Sequence, residues 1–114
     1  MLFKKFAVFV VSLLIVACSS SDIDLAKKGD WHGIGYSDGI NGRHARSFNE
    51  LQELGQANQA EYEHGYVGGL EEYCNPNFAY QIGLNGQYYE GVCEGTKEAQ
   101  RFRMEWQRGW NESN

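Results

Sequence analysis

The chain has 114 residues, with 15 acidic side chains against 10 basic ones and a net charge of −5. That balance speaks against nucleic acid and anionic headgroups as general partners. One proline among 114 residues excludes a proline-rich disordered linker.

The first element is not part of a fold. Lys4 and Lys5 form a positive start, and residues 6–17 are apolar except for Ser12. This length suits a signal-peptide core of about 7–15 residues and falls short of the roughly 20 needed to cross a bilayer. It closes on Ile15-Val16-Ala17-Cys18. That ending resembles the bacterial lipobox, which implies cleavage before Cys18 and acylation of its thiol and new amine. Each buried methylene contributes about 0.8 kcal/mol, so several acyl chains, palmitate among them, make a durable anchor. Residues 1–17 are therefore expected to be a lipoprotein signal peptide, and 18–29 a lipidated flexible tether reaching about 30 Å if extended. Removal of 1–17 takes away two lysines and no acids, leaving 8 basic and 15 acidic groups, or −7.

Residues 30–114 are expected to form one small, mainly α-helical domain of three to four short helices, with an extended strap and one disulfide. The mature chain, 18–114, is ring-rich: 13 aromatics stand against 11 Ile, Leu and Val. A local device recurs, with an aromatic or His, two residues, Gly, then a large apolar residue. It occurs as His32 to Tyr36, Tyr62 to Tyr66, Tyr80 to Leu84 and Trp106 to Trp110. Its glycines are Gly35, Gly65, Gly83 and Gly109. The intervals between them are unequal, which reads as a recurring device and not a solenoid repeat. Glycine costs about 1 kcal/mol inside a helix, and close helix–helix approach is the natural offset. On that reading Gly65→Leu overpacks the interior, while Gly65→Ala is milder.

In chain order, Asp30 is a good N-cap for a helix from Trp31. The helix is expected to fray over Gly39 to Gly42. Ser47-Phe48-Asn49-Glu50 matches a capping box. Phe48, Leu51, Gly55, Asn58, Tyr62, Gly65, Gly69 and Tyr73 then step by three and four, as on one helix face. Either one helix runs from Phe48 to Tyr73 or it breaks near Gly55 to Asn58. Asn75-Pro76-Asn77 is a turn into a helix from about Phe78 to Gly86. Cys18 being consumed by lipid, Cys74 and Cys93 of an exported chain pair as a disulfide. Residues 88–92 must then run back along that helix as a strap, its tyrosines laid over helical glycine. A last helix spans about Thr96 to Trp110, capped by Thr96.

Asp30-Trp31, Gly35-Tyr36, Asp38-Gly39 and Asn41-Gly42 together resemble the opening of a family of small Gram-negative lipoproteins, Domain of Unknown Function 2799. Gly65-Tyr66, Gly69-Leu70, Tyr73-Cys74, Gly83, Gly86, Tyr89 and Val92-Cys93 extend the likeness to about Gly109. The resemblance implies an envelope lipoprotein and no particular activity. Ser19 after the lipid cysteine is not the Asp of inner-membrane retention, which points to the outer membrane, facing the periplasm.

No enzyme chemistry is expected. No serine sits in a nucleophile elbow. Glu61 and His64, like Glu71 and Cys74, read as solvated helix neighbours. The glycines around Gly35 lack the strand and the Lys-Ser/Thr of a phosphate loop. Residues 38–42 lack most calcium ligands. His32, His44 and His64 show no ligand spacing with the cysteines, so neither a metal nor another cofactor is expected. Two functions remain: a structural or partner-binding envelope module, or a binder of a ligand such as glycan through exposed Trp and Tyr. Burial of Trp31, Trp106 and Trp110 would weigh against the second.

Overall fold

The computed structural model describes residues 21–113; the signal peptide and the first three residues of the expected tether, Cys18 among them, lie outside them. The helices are α1 (Trp31–Ile40), α2 (Phe48–Gln52), α3 (Gln59–Tyr73), α4 (Pro76–Leu84) and α5 (Ala99–Ser113), and residues 21–27 are helical as well. Among the described residues there is no strand. The fold is mainly helical, with an irregular strap and one disulfide.

Short polar side chains start the helices. Asp30 accepts from the Gly33 amide at 2.9 Å. Ser47 and Glu50 close a reciprocal capping box on α2. Asn58 accepts from the Glu61 amide, and Asn75 from that of Asn77 ahead of Pro76. Each cap satisfies an amide that the first helical turn leaves without a partner. Between α2 and α3 the chain breaks at 53–58, where the Gln52 side chain accepts from the Ala57 amide. That settles the Phe48 to Tyr73 question in favour of two helices.

The helices pack as two pairs, α1 with α3 and α4 with α5. A Cβ on Gly35 would fall on the carbonyl oxygen of Tyr62, and one on Gly65 on that of His32. One turn on, Gly39 meets the Tyr66 carbonyl and Gly69 that of Tyr36. Contact advances in the same direction along both helices, so α1 and α3 run parallel. Backbone lies directly on backbone, close enough for glycine Cα–H to point at a carbonyl of the facing helix. Gly83 and Gly109 repeat the arrangement against the carbonyls of Trp106 and Tyr80.

The second pair is a structural copy of the first. Tyr36-Ser37-Asp38-Gly39-Ile40-Asn41-Gly42 in α1 corresponds to Tyr80-Gln81-Ile82-Gly83-Leu84-Asn85-Gly86 in α4. Both end with a glycine at positive φ, 69° at Gly42 and 78° at Gly86. Both close with the same pair of backbone bonds: Arg43 N to Asp38 O and Gly42 N to Gly39 O, then Gln87 N to Ile82 O and Gly86 N to Gly83 O. This is a Schellman cap, so α1 stops cleanly where fraying was expected. In α3 and α5, Tyr62, Tyr66, Gly69, Leu70 and Glu72 correspond to Phe102, Trp106, Gly109, Trp110 and Glu112. Three contacts across the pairs match. The Tyr36 hydroxyl donates to Glu72 at 2.5 Å as Tyr80 does to Glu112. Tyr66 donates to the Arg43 carbonyl at 2.7 Å as Trp106 Nε1 does to Gln87 at 2.9 Å. The glycine contacts supply the third. The glycine device is thus part of a duplicated helix–return–helix unit; its intervals are unequal because the returns differ in length and because Gly83 and Gly109 correspond to Gly39 and Gly69, not to Gly35 and Gly65. Ala79 stands where the first unit has Gly35, so the second pair crosses tightly at one level only.

Two expectations are corrected at the ends. Residues 21–27 are no loose tether: Leu25 and Ala26 pack against Trp31, Ile34, Leu51 and Tyr62, and Asp22 pairs with Arg46 at 2.7 Å. The last helix starts three residues later than Thr96, whose hydroxyl donates to the Cys93 carbonyl instead of capping.

The clash at Gly65 is with backbone, so it already excludes a methyl group. Gly65→Ala is expected to destabilise by about 1–3 kcal/mol or more, approaching Gly65→Leu. This replaces the milder effect expected from helix propensity. Gly68, where an added Cβ would point into open space, is the control: Gly68→Ala should gain up to about 1 kcal/mol. Thermal melts read both, since 1 kcal/mol shifts Tm by about 4–8 °C in a domain of this size.

Candidate functional site

The two units share a backbone but fill it differently. In the first, Asp38 is 1% exposed. Its carboxylate accepts from the Tyr62 hydroxyl at 2.7 Å and from Arg46 Nε at 2.9 Å. The Arg46 amide donates back to the Tyr62 oxygen at 2.9 Å, and its guanidinium reaches Asp22 at 2.7 Å. The network ties the return segment and residues 21–27 to both helices. Among the described residues no buried side-chain polar atom lacks a partner, so the charge is satisfied and structural. In the second unit Ile82 and Phe102 replace Asp38 and Tyr62, and the return segment is held covalently. Cys74 and Cys93 are joined at 2.08 Å with Cα atoms 5.5 Å apart. The bond lies in a core with Tyr73, Ala79, Tyr89 and Phe102. The Tyr89 hydroxyl accepts from the Cys93 amide at 3.0 Å and donates to Glu94 at 2.8 Å.

The strap tyrosines lie over rings of α5 where helical glycine was expected. Tyr89 is buried against Phe102 and Trp106, with centroids 5.0 and 5.9 Å away. Tyr88 is 64% exposed and meets Trp106 and Trp110 edge to face at 6.1 and 6.3 Å. The two tryptophans are half-buried and 5.3 Å apart. The corresponding positions in the first unit hold His44, Tyr66 and Leu70, and that pair packs with the same backbone contacts. Trp106 thus matches Tyr66 in place and bonding, and the second unit differs in carrying rings at 88 and 110 as well. Trp31, by contrast, is 4% exposed and belongs to the core.

Other groupings offer less. His32 and His64 approach across the first pair with centroids 5.2 Å apart, both exposed. Among the described residues no group of three or more His, Cys, Asp or Glu is placed to hold a metal. A shallow groove beside the disulfide mixes Glu71, Glu98, Lys97 and Arg101. Glu61 and His64 lie on exposed helix surface. Gly35, Gly65, Gly83 and Gly109 are all covered by facing backbone, which leaves no room for a ligand there.

A duplicated, glycine-crossed, disulfide-held helical domain is the class these features define. The family model described as "Protein of unknown function (DUF2799)" matches residues 30–111. The chain belongs to that family. No curated protein and no solved structure matches it. Among the described residues no helix is long and apolar enough to cross a membrane. Sequence reasoning missed the Asp38–Arg46–Tyr62 network. Its signal was an Asp inside an otherwise apolar helix face.

Two outcomes follow. Tyr62→Phe leaves the Arg46 amide without its acceptor and Asp38 short of a donor, and should cost about 1–3 kcal/mol by denaturant melt. Alkaline pH should also unfold the domain. Burial, then the bond to Glu94, pushes Tyr89 up to about 12, and burial raises Tyr62 as well. Unfolded phenols ionise near about pH 10. Folding thus favours the neutral phenol; that stability is complete below pH 10 and fades as pH rises toward 12. Denaturation midpoints should be flat from about pH 8 to 9 and fall above 10.

Proposed function

We propose that this chain is an envelope lipoprotein, anchored through lipid on Cys18 to the outer membrane and facing the periplasm, whose domain is a non-enzymatic module that holds a protein partner. The ring face of Tyr88, Trp106 and Trp110 is the contact surface. One observation carries the reading: where the first unit has His44 and Leu70, the second has Tyr88 and Trp110, so the same crossing carries a wider ring surface, with Tyr88 64% exposed. Exposed Trp and Tyr are the side chains most often found at the centre of protein contacts. The disulfide suits an oxidising compartment, and the apolar run ending at Cys18 supplies the anchor. A mature charge of −7 favours a partner that is neutral or basic where it meets the rings.

A second reading is favoured by the 64% exposure of Tyr88: the same rings stack on the faces of a neutral sugar. Photo-crosslinking from position 88 in intact envelopes separates the two. The partner reading expects one discrete protein adduct that disappears with Trp110→Ala. Quenching of tryptophan fluorescence by glycan fragments, with no protein adduct, would replace it with the sugar reading. The anchor is tested separately. Cys18→Ala should abolish the acyl mass and move the protein out of the membrane fraction; unchanged mass and fractionation would refute lipidation.

A further inference from the structure

A lipid on Cys18 is only three residues from Ser21, where the described helical stretch begins. Three peptide units span at most about 11 Å. Residues 21–27 do not swing free of the domain. Leu25 and Ala26 are packed into the first unit's core, and Asp22 is held by Arg46, both side chains half-buried. Asp22, four residues from Cys18, therefore stays within about 14 Å of the lipid attachment point.

Asp22 and Asp24 flank Ile23 in sequence, and the positive charge that meets Asp22 comes from one short segment. Residues 43–46, Arg43-His44-Ala45-Arg46, carry two arginines and no acid. Arg46 is engaged by Asp22 and Asp38; Arg43 also reaches Asp38, at 3.5 Å, but leaves 59% of its side chain exposed. Ile23, next to Asp22, is 41% exposed, and Phe48, two residues beyond Arg46, is 43% exposed. Large apolar side chains open to water cost free energy that a membrane boundary removes. An exposed arginine in the same unit suits phosphate headgroups. The whole chain's negative charge does not oppose this, because screening limits each charge to about 8–10 Å.

We infer that the first unit lies against the bilayer through Ile23, Arg43 and Phe48, with the two apolar side chains in the headgroup boundary, so that the domain is held in one orientation and does not swing on a tether. This rests on the lipid anchor proposed above. It also gives the duplication a division of labour: the first unit faces the membrane and the second presents its rings.

The test uses full-length lipidated protein in vesicles of phosphatidylethanolamine and phosphatidylglycerol carrying a lipid-borne quencher. An environment-sensitive dye is placed in turn at Ile23→Cys, Phe48→Cys and Met104→Cys. Met104 is 65% exposed on α5. All three sites are exposed, so labelling leaves the core intact, and an intact Cys74–Cys93 bond verifies the fold. The dye at positions 23 and 48 should be blue-shifted and quenched several-fold more strongly than at 104. Equal, weak quenching at all three sites in protein that floats with the vesicles would overturn the orientation while leaving the anchor standing. Protein that lacks the acyl mass and stays behind would overturn the anchor, and the orientation with it.

Discussion

Everything in this domain depends on how closely α1 approaches α3, and α4 approaches α5. At Gly35, Gly39, Gly65, Gly69, Gly83 and Gly109 the position a Cβ would take is filled by the facing helix's carbonyl. Helices normally pack through side chains at axis separations of about 8–10 Å. Here the backbones themselves touch, and the large rings sit on either side of the line of contact. Six glycines inside helices each weaken the helix by about 1 kcal/mol. The return is dispersion contact along two bare backbones and a set of weak Cα–H to carbonyl bonds. A chain short of Ile, Leu and Val can build a core this way, because the rings supply the area that aliphatic side chains otherwise would.

A parallel pair forces the chain to travel back before the second helix can begin, and each return segment must be fastened. The two units use different chemistry for the same task. The first fastens its return with Arg46 on the buried Asp38 and Tyr62. The second uses the Cys74–Cys93 bond, with Tyr89 folded beneath it. Closing a loop of this length contributes about 3 kcal/mol in the chain-entropy model. A buried ion pair is a less certain source of stability, and its use here is to fix one geometry. The bond to Asp22 also brings the chain's front end onto the fold, and with it the direction from which a lipid anchor would arrive.

Much of this was legible in the sequence, for reasons that differ by element. Caps were readable because Asp30, Ser47 and Pro76 act within one helical turn. The helix faces were readable because Tyr62, Gly65, Gly69 and Tyr73 recur at three and four. The disulfide followed from two cysteines left over in a chain expected to be exported. The duplication was hidden because its return segments differ in length, which scatters the glycine intervals; the paired Tyr-x-x-Gly-Ile-Asn-Gly and Tyr-x-x-Gly-Leu-Asn-Gly were the signal. The ring face was hidden because periodicity cannot separate Trp31, which is core, from Trp106 and Trp110, which are half-exposed. The docking of residues 21–27 was hidden because Asp22 and Arg46 are 24 positions apart, and Ser-rich sequence reads as tether whatever it touches.

The central claim is that backbone meets backbone at the glycines of two equivalent crossings. Nuclear Overhauser spectroscopy on the folded domain tests it directly, because Hα protons of facing helices approach each other only when no side chain separates them. The account predicts strong cross-helix contacts from the Gly35 Hα protons to those of Tyr62 and Gly65. It predicts the same pattern from Gly83 to Trp106 and Gly109. Absence of these contacts, with the glycine protons of each helix seeing only their own helix and solvent, would contradict it.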